Sequence, residues 1–209
     1  LLDAYGIPTP DGAVVDSPVD ARDVAERLGD PVVMKVVSPD ILHKSDIGGV
    51  KVGVTHEDVD DAYEDLIARA RNYQPDATIL GVQVQAQVDV ESGVETIVGT
   101  NRDPQFGPLV LFGLGGIFVE VMEDTAVRLA PVAEAEARAM TDEIRASPLL
   151  SGARGGDPVD REAIAETIGR LSQLVTDFPE ILELDVNPLV VRPDGVEAVD
   201  LRLTIEPES

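Results

Sequence analysis

The chain has 209 residues, 44% of them apolar, enough for one large or two small domains around a buried core. Forty acidic against sixteen basic residues leave a net charge of −24, which repels nucleic-acid backbones and anionic membrane surfaces and argues against both as partners. No apolar run approaches the roughly 18 residues of a membrane span, and no charged-then-apolar leader opens the sequence, so a soluble cytoplasmic protein, or a piece of one, is expected. Cysteine is absent, which removes disulfides and thiolate chemistry and leaves the redox compartment undetermined, and the two histidines, His43 and His56, are too few for an all-histidine zinc site.

Thirteen of the basic residues are Arg and only three are Lys: Lys35, Lys44 and Lys51. The acidic, Lys-poor surface resembles that of proteins from salt-loving organisms, where high ionic strength screens carboxylate repulsion. The surviving lysines become candidates for positions that need a compact ammonium, such as one facing phosphate.

In chain order, a helix is expected over 18 to 28, capped by Ser17, with Pro18 in its first turn and Gly29 at its end. The apolar, β-branched run 31 to 37 reads as a central strand and is followed by a polar loop containing Gly48-Gly49. A strand near 50 to 54 and a helix from Thr55 to about 72 complete an order that suggests a mixed sheet. Alternating residues at 79 to 88 and 94 to 100 predict a hairpin. A strand at 108 to 112 runs into Gly113-Leu114-Gly115-Gly116. Helices are expected at 134 to 146 and 158 to 176, the second capped by Asp157 with Pro158 in its first turn. Strands at 181 to 191 and 196 to 203 are joined by Arg192-Pro193-Asp194-Gly195. Antiparallel pairs of this kind fit a two-lobed α+β molecule, with its hinge near 81 to 88, better than a single Rossmann unit.

Several residues could carry chemistry. Lys35 interrupts an apolar strand, and a buried ammonium must be compensated: either it binds phosphate oxygens in a cleft, or it lies on an edge strand with its head in solvent. His43 sits in a charged loop just before the Gly pair, placed either for nucleophilic or acid/base work or simply on the surface. His56, in the first turn of a helix, is expected to be exposed and without a role. The glycines ending at Gly115 and Gly116 either cradle phosphates or make a tight turn, since they match no standard phosphate-loop pattern. In the last hairpin, a turn centred on Pro193 and Asp194 puts Asn187 across from Asp200. With Asp185 these interrupt core-like runs, and an Asn and Asp oxygen set suits Mg²⁺; the alternative is the polar face of a half-exposed sheet.

Seven segments occur together and in order: Tyr5-Gly6-Ile7-Pro8, the strand with Lys35, Ser38 to Asp46, Gly48-Gly49-Val50, Arg102 to Pro108, Gly113 to Gly116, and Glu183 to Leu189. With these the sequence resembles the ATP-grasp subunit or domain of ADP-forming acetate–CoA ligases, the NDP-forming acyl-CoA synthetases related to succinyl-CoA synthetase. The resemblance implies a two-lobed ATP-grasp fold with a nucleotide cleft between lobes 1–85 and 86–209. It also implies the reaction acyl-CoA + ADP + phosphate ⇌ acid + CoA + ATP, run through phosphohistidine. His43 matches the histidine that relays the phosphoryl group, and Asp185 an acid that steadies phosphohistidine. Lys35 matches the lysine on the ATP or ADP phosphates, and Asn187 and Asp200 the Mg²⁺ ligands. Gln85, Val88 and Glu95 match the hinge and edge of the nucleotide pocket.

No CoA-binding Rossmann unit is evident. A CoA-binding alpha subunit or fused domain is therefore the expected partner, bringing the small acid and CoA, and this chain is expected to be one subunit or an excised domain. Two rivals remain at this point: a regulatory module of the kind fused to protein acetyltransferases, and a biotin-carboxylase-like or amide-forming ATP-grasp ligase. Neither needs a phosphorylatable His43.

Overall fold

The structure is a computed structural model that describes residues 1–41, 43–115, 124–152 and 157–206. The chain divides into two compact units, a smaller one of Pro10–Val88 and a larger one of Leu1–Thr9 with Asp89–Ser209.

The smaller unit contains β1 (Gly12–Val15), α1 (Pro18–Leu28), β2 (Val32–Val37), β3 (Val50–Val54), α2 (Val59–Tyr73) and β4 (Gly81–Ala86). Its sheet order is β1-β4-β2-β3, and every pairing is antiparallel, not mixed as expected. The strand and helix order does produce parallel directions, β1 with β2 and β3 with β4. In each case another strand is inserted between the two, so no parallel ladder forms. Ser17 Oγ accepts the Asp20 N–H at 3.2 Å to start α1, and Gly29 ends it at φ +92°. Helix α2 begins later than Thr55 because a 3₁₀ turn, His56–Asp58, precedes it.

Both helices cover the same sheet face. Ala21, Val24 and Ala25 of α1 and Val59, Ala62, Tyr63 and Leu66 of α2 bury Val32, Met34, Val54, Val82 and Val84. Strand alternation therefore turns Val33, Lys35, Val37, Gln83 and Gln85 to the opposite face.

The larger unit contains β5 (Val94–Asp103), β6 (Gly107–Leu114), β7 (Thr125–Leu129), α3 (Glu134–Glu143), the one-turn α4 (Ser147–Leu150), α5 (Arg161–Asp177), β8 (Ile181–Arg192), β9 (Gly195–Ala198) and β10 (Leu201–Ile205). The sheet order is β10-β8-β5-β6-β7, with β9 also on β8. The expected hairpin of 79 to 88 with 94 to 100 does not form: β4 pairs with β1 and β2, while β5 pairs with β6 and β8. Alternation specifies which face is buried but not which strand lies alongside.

Helices α3 and α5 cover one face of this sheet, burying Val98, Val110, Phe112, Leu114, Ala126, Leu184 and Val186 against Ala137, Met140, Ile164, Ile168 and Leu171. Leu2 and Ile7 enter the same core, which is why the first nine residues group with this unit and not with the 10 to 88 segment. The expected helix at 134 to 146 breaks after Glu143. Ile144 is extended, and the buried Asp124 carboxylate accepts the N–H groups of Arg145 and Ala146 at 2.7 and 2.8 Å. Helix α5 is capped by Asp160, not Asp157: its Oδ1 accepts the Ala163 N–H at 3.0 Å, while Val159 packs into the core and leaves Pro158 outside the helix.

Candidate active site

In the smaller unit, Lys35 lies on a strand flanked by β3 and β4, so the edge-strand alternative does not hold. Its side chain is on the face away from the helices, opposite Gln83 in the ladder. Gln85 follows on the same face of β4, and Lys35 and Gln85 are 5% and 2% exposed. Neither is without a partner. Val88, beyond the end of β4, is half-buried.

His43 is exposed in the loop between β2 and β3. The loop is pinned on both sides of it. Asp40 Oδ2 accepts the Thr78 N–H at 2.6 Å, and Ile41 is buried with Val36, Ala70 and Ala77. On the far side, Gly49 donates to the Lys44 carbonyl at 2.7 Å, and its own carbonyl accepts the Val36 N–H at 2.9 Å. Gly49 permits this closeness, because a Cβ there would lie 2.8 Å from Val36 Cγ1. His56, expected to be simply exposed, is half-buried, and its Nε2 lies 3.0 Å from the Ala25 carbonyl oxygen, tying the 3₁₀ turn before α2 to α1.

In the larger unit, β8 from Arg192 to Glu183 keeps one register with β9 and then β10: Leu189 faces Ala198, and Val186 faces Leu201. Asn187 and Asp200 fall opposite each other between these pairs, and the Asn187 N–H donates to the Asp200 carbonyl at 3.2 Å. Opposed residues of an antiparallel pair share a face, and so do residues two apart on one strand. Asp185, Asn187 and Asp200 therefore stand together on the face that α3 and α5 leave uncovered. Gly99 of β5 lies beside Asp185 in the ladder, and its missing side chain leaves room for the carboxylate.

Burial and the neighbouring Glu183 and Asp200 carboxylates raise the Asp185 carboxyl above its ordinary value, with Arg202 opposing them. Arg202 is directly opposite Asp185 in the ladder, and its guanidinium lies 3.8 Å from Glu183. Sequence patterning alone does not single out this arginine, although the register that pairs Asn187 with Asp200 pairs Arg202 with Asp185 as well.

Glu95 is exposed on β5, and its carbonyl accepts the Gly115 N–H at 2.7 Å. A Cβ on Gly115 would meet the Glu95 backbone at 3.2 Å, so a glycine allows the two chains to approach. Gly116 lies outside the described residues.

Among the described residues no three His, Cys, Asp or Glu side chains form a group that could hold a metal. One carboxylate and one amide oxygen fit Mg²⁺, which binds through few protein ligands and keeps waters and substrate phosphates in the rest of its shell. No helix of the described residues is long and apolar enough to cross a membrane.

Two sheets with this strand order and an oxygen-bearing face define an ATP-grasp architecture. The model of an ATP-grasp domain matches residues 1–205, and the chain belongs to that family. It is 45% identical to the beta subunit of ADP-forming acetate–CoA ligase I of Pyrococcus furiosus, over 98% of this chain and 88% of that one. It is also 45% identical to ADP-forming acetate–CoA ligase I of Archaeoglobus fulgidus, over 100% of this chain but 30% of that longer protein.

Among solved structures it resembles the dinucleotide forming acetyl-coenzyme A synthetase 1 of Candidatus Korarchaeum cryptofilum in complex with coenzyme A and Ca-AMPCP. The TM-score is 0.93 and the identity 42%, over 98% of this chain and 89% of that one. A second complex of that enzyme holds coenzyme A and Mg-AMPPCP, with a phosphohistidine segment pointing towards the nucleotide binding site. It matches at TM-score 0.81 and 39% identity, over 98% and 88% of the two chains.

Proposed function

We propose that this chain is the nucleotide-binding, phosphoryl-transferring component of an ADP-forming acyl-CoA synthetase. With a CoA-binding alpha subunit or fused domain it would interconvert acyl-CoA, ADP and phosphate with the free acid, CoA and ATP, in the cytoplasm. The observation that carries this reading is the grouping of Asp185, Asn187 and Asp200 on the sheet face opposite α3 and α5, in a chain that aligns along its length with acetate–CoA ligase beta subunits.

Phosphoryl transfer needs positioned charge more than covalent machinery. In this reading Lys35 neutralises phosphate oxygens, and Gln85, Val88, Glu95, Gly115 and Gly116 belong to the nucleotide pocket. Asn187 and Asp200 would hold Mg²⁺, which when bound spreads the charge of the terminal phosphates. His43 attacks the γ-phosphorus through an unprotonated ring nitrogen. The phosphorus–nitrogen bond forms as the bond to the β-phosphate oxygen breaks, and the electron pair leaves with ADP. Asp185 would supply the carboxylate that steadies a phosphohistidine. The ligase names of the reported relatives favour this reading over the regulatory module, and a retained His43 favours it over amide-forming ligases.

Titration calorimetry with Mg²⁺ and ATP tests it. The chain binds the nucleotide, and Lys35→Ala weakens binding about tenfold or more, the scale expected for a lost charge-assisted hydrogen bond. Unchanged affinity in a folded variant removes Lys35 from the pocket.

A further inference from the structure

The geometry points to Arg202 as the side chain that binds the terminal, transferable phosphoryl group of the nucleotide. This inference rests on the proposed function, and it concerns a residue to which that reading gives no role.

Arg202 is the Cα partner of Asp185 across the β8–β10 ladder and stands two residues beyond Asp200, which lies just before β10 and accepts the Asn187 N–H at its carbonyl. Alternation and pairing place Asp185, Asn187, Asp200 and Arg202 at the corners of one patch, two neighbouring cross-strand pairs on a single sheet face. One pair, Asn187 with Asp200, offers the oxygens for the metal. The other, Asp185 with Arg202, is the next rung on the same face of the ladder, so a terminal phosphate held at that metal would lie beside the guanidinium.

The guanidinium is available for it. Its side chain is 42% exposed, and it stands 3.8 Å from Glu183, beyond hydrogen-bond length. Arg170, Arg161 and Arg192 of the same unit, by contrast, bond carboxylates at 2.9, 2.5 and 2.7 Å. Arginine also suits the task, since its planar fork can hold two oxygens of one phosphoryl group. Among the described residues Asp185, Glu183 and Asp200 stand near it, so the guanidinium offsets the repulsion these carboxylates exert on an arriving phosphate.

The prediction is selective because ADP lacks the group that Arg202 would hold. Titrations use the full chain with Mg²⁺ and either ADP or the non-hydrolysable β,γ-methylene analogue of ATP. Arg202→Gln is expected to weaken the analogue about tenfold or more while changing ADP affinity less than about twofold, and Arg202→Lys is expected to fall between wild type and Arg202→Gln for the analogue alone. Equal losses for both nucleotides, or no loss for either, overturn the assignment and leave Arg202 as a cation for Glu183 and Asp185. Wild-type chain that binds neither nucleotide overturns the proposed function itself, and the arginine assignment with it. Matching thermal midpoints of wild type and Arg202→Lys separate a lost contact from a damaged fold.

Discussion

Asn187 and Asp200 are joined backbone to backbone, the Asn187 N–H donating to the Asp200 carbonyl at 3.2 Å, so their side chains rise from one rung of the ladder. A strand register, not a flexible loop, sets the spacing of the two candidate metal ligands. Asn187→Ala and Asp200→Ala are each expected to abolish the Mg²⁺ dependence of nucleotide binding while leaving the circular dichroism spectrum intact. Titration of ATP with and without Mg²⁺ reads this, and a retained Mg²⁺ dependence in both variants would place the metal elsewhere.

Asp185 is expected to cost stability in exchange for its role. Burial, with Glu183 and Asp200 nearby, raises its carboxyl, so the folded metal-free chain holds that proton more tightly than the unfolded chain. Its contribution therefore favours the fold at low pH and declines as pH rises from the ordinary carboxylate range through the raised value. Asp185→Asn should raise the melting midpoint near about pH 7 and flatten this part of the profile, while lowering turnover with the CoA-binding partner. A lowered midpoint at neutral pH would show that the charged form is the stabilised one.

The His43 loop depends on a missing side chain. A Cβ on Gly49 would stand 2.8 Å from Val36 Cγ1 and 2.9 Å from the Lys44 carbonyl, atoms that belong to a core strand and to the loop turn. Gly49→Ala is expected to destabilise the protein by about 1–3 kcal/mol, the usual cost of overpacking, in urea unfolding. Stability equal to wild type would mean that the loop yields freely at this point.

The two histidines should separate cleanly. His56→Ala removes a bond to the Ala25 carbonyl and is expected to cost about 1 kcal/mol in stability while leaving nucleotide binding unchanged. His43, exposed and outside either core, should show the reverse: little effect on stability and loss of phosphoryl transfer. Denaturation midpoints beside calorimetric affinities for the two variants check this.

Much of this arrangement can be read from local chemistry. Pro193 and Gly195 fix the last turn, and the turn fixes which residues oppose Asn187 and Asp185. Ser17, Pro18 and Gly29 bound α1 for equally local reasons. Long-range choices were not legible in the same way. The 79 to 88 run alternates as a hairpin arm would, yet β2 and β1 claim it, and only tertiary packing decides between such partners. Asp157 and Asp160 are both competent caps, and the burial of Val159 selects the second. Lys35 could equally have ended in solvent until the sheet placed β2 between two neighbours.

The most direct test is to supply γ-labelled ATP and Mg²⁺ to this chain in the presence of its CoA-binding partner and to map the bound label under neutral conditions. The account predicts acid-labile, base-stable phosphate on His43, absent from His43→Ala although that variant still binds nucleotide, and unaffected by His56→Ala. Full labelling of the His43→Ala chain, or label confined to another residue, would contradict it.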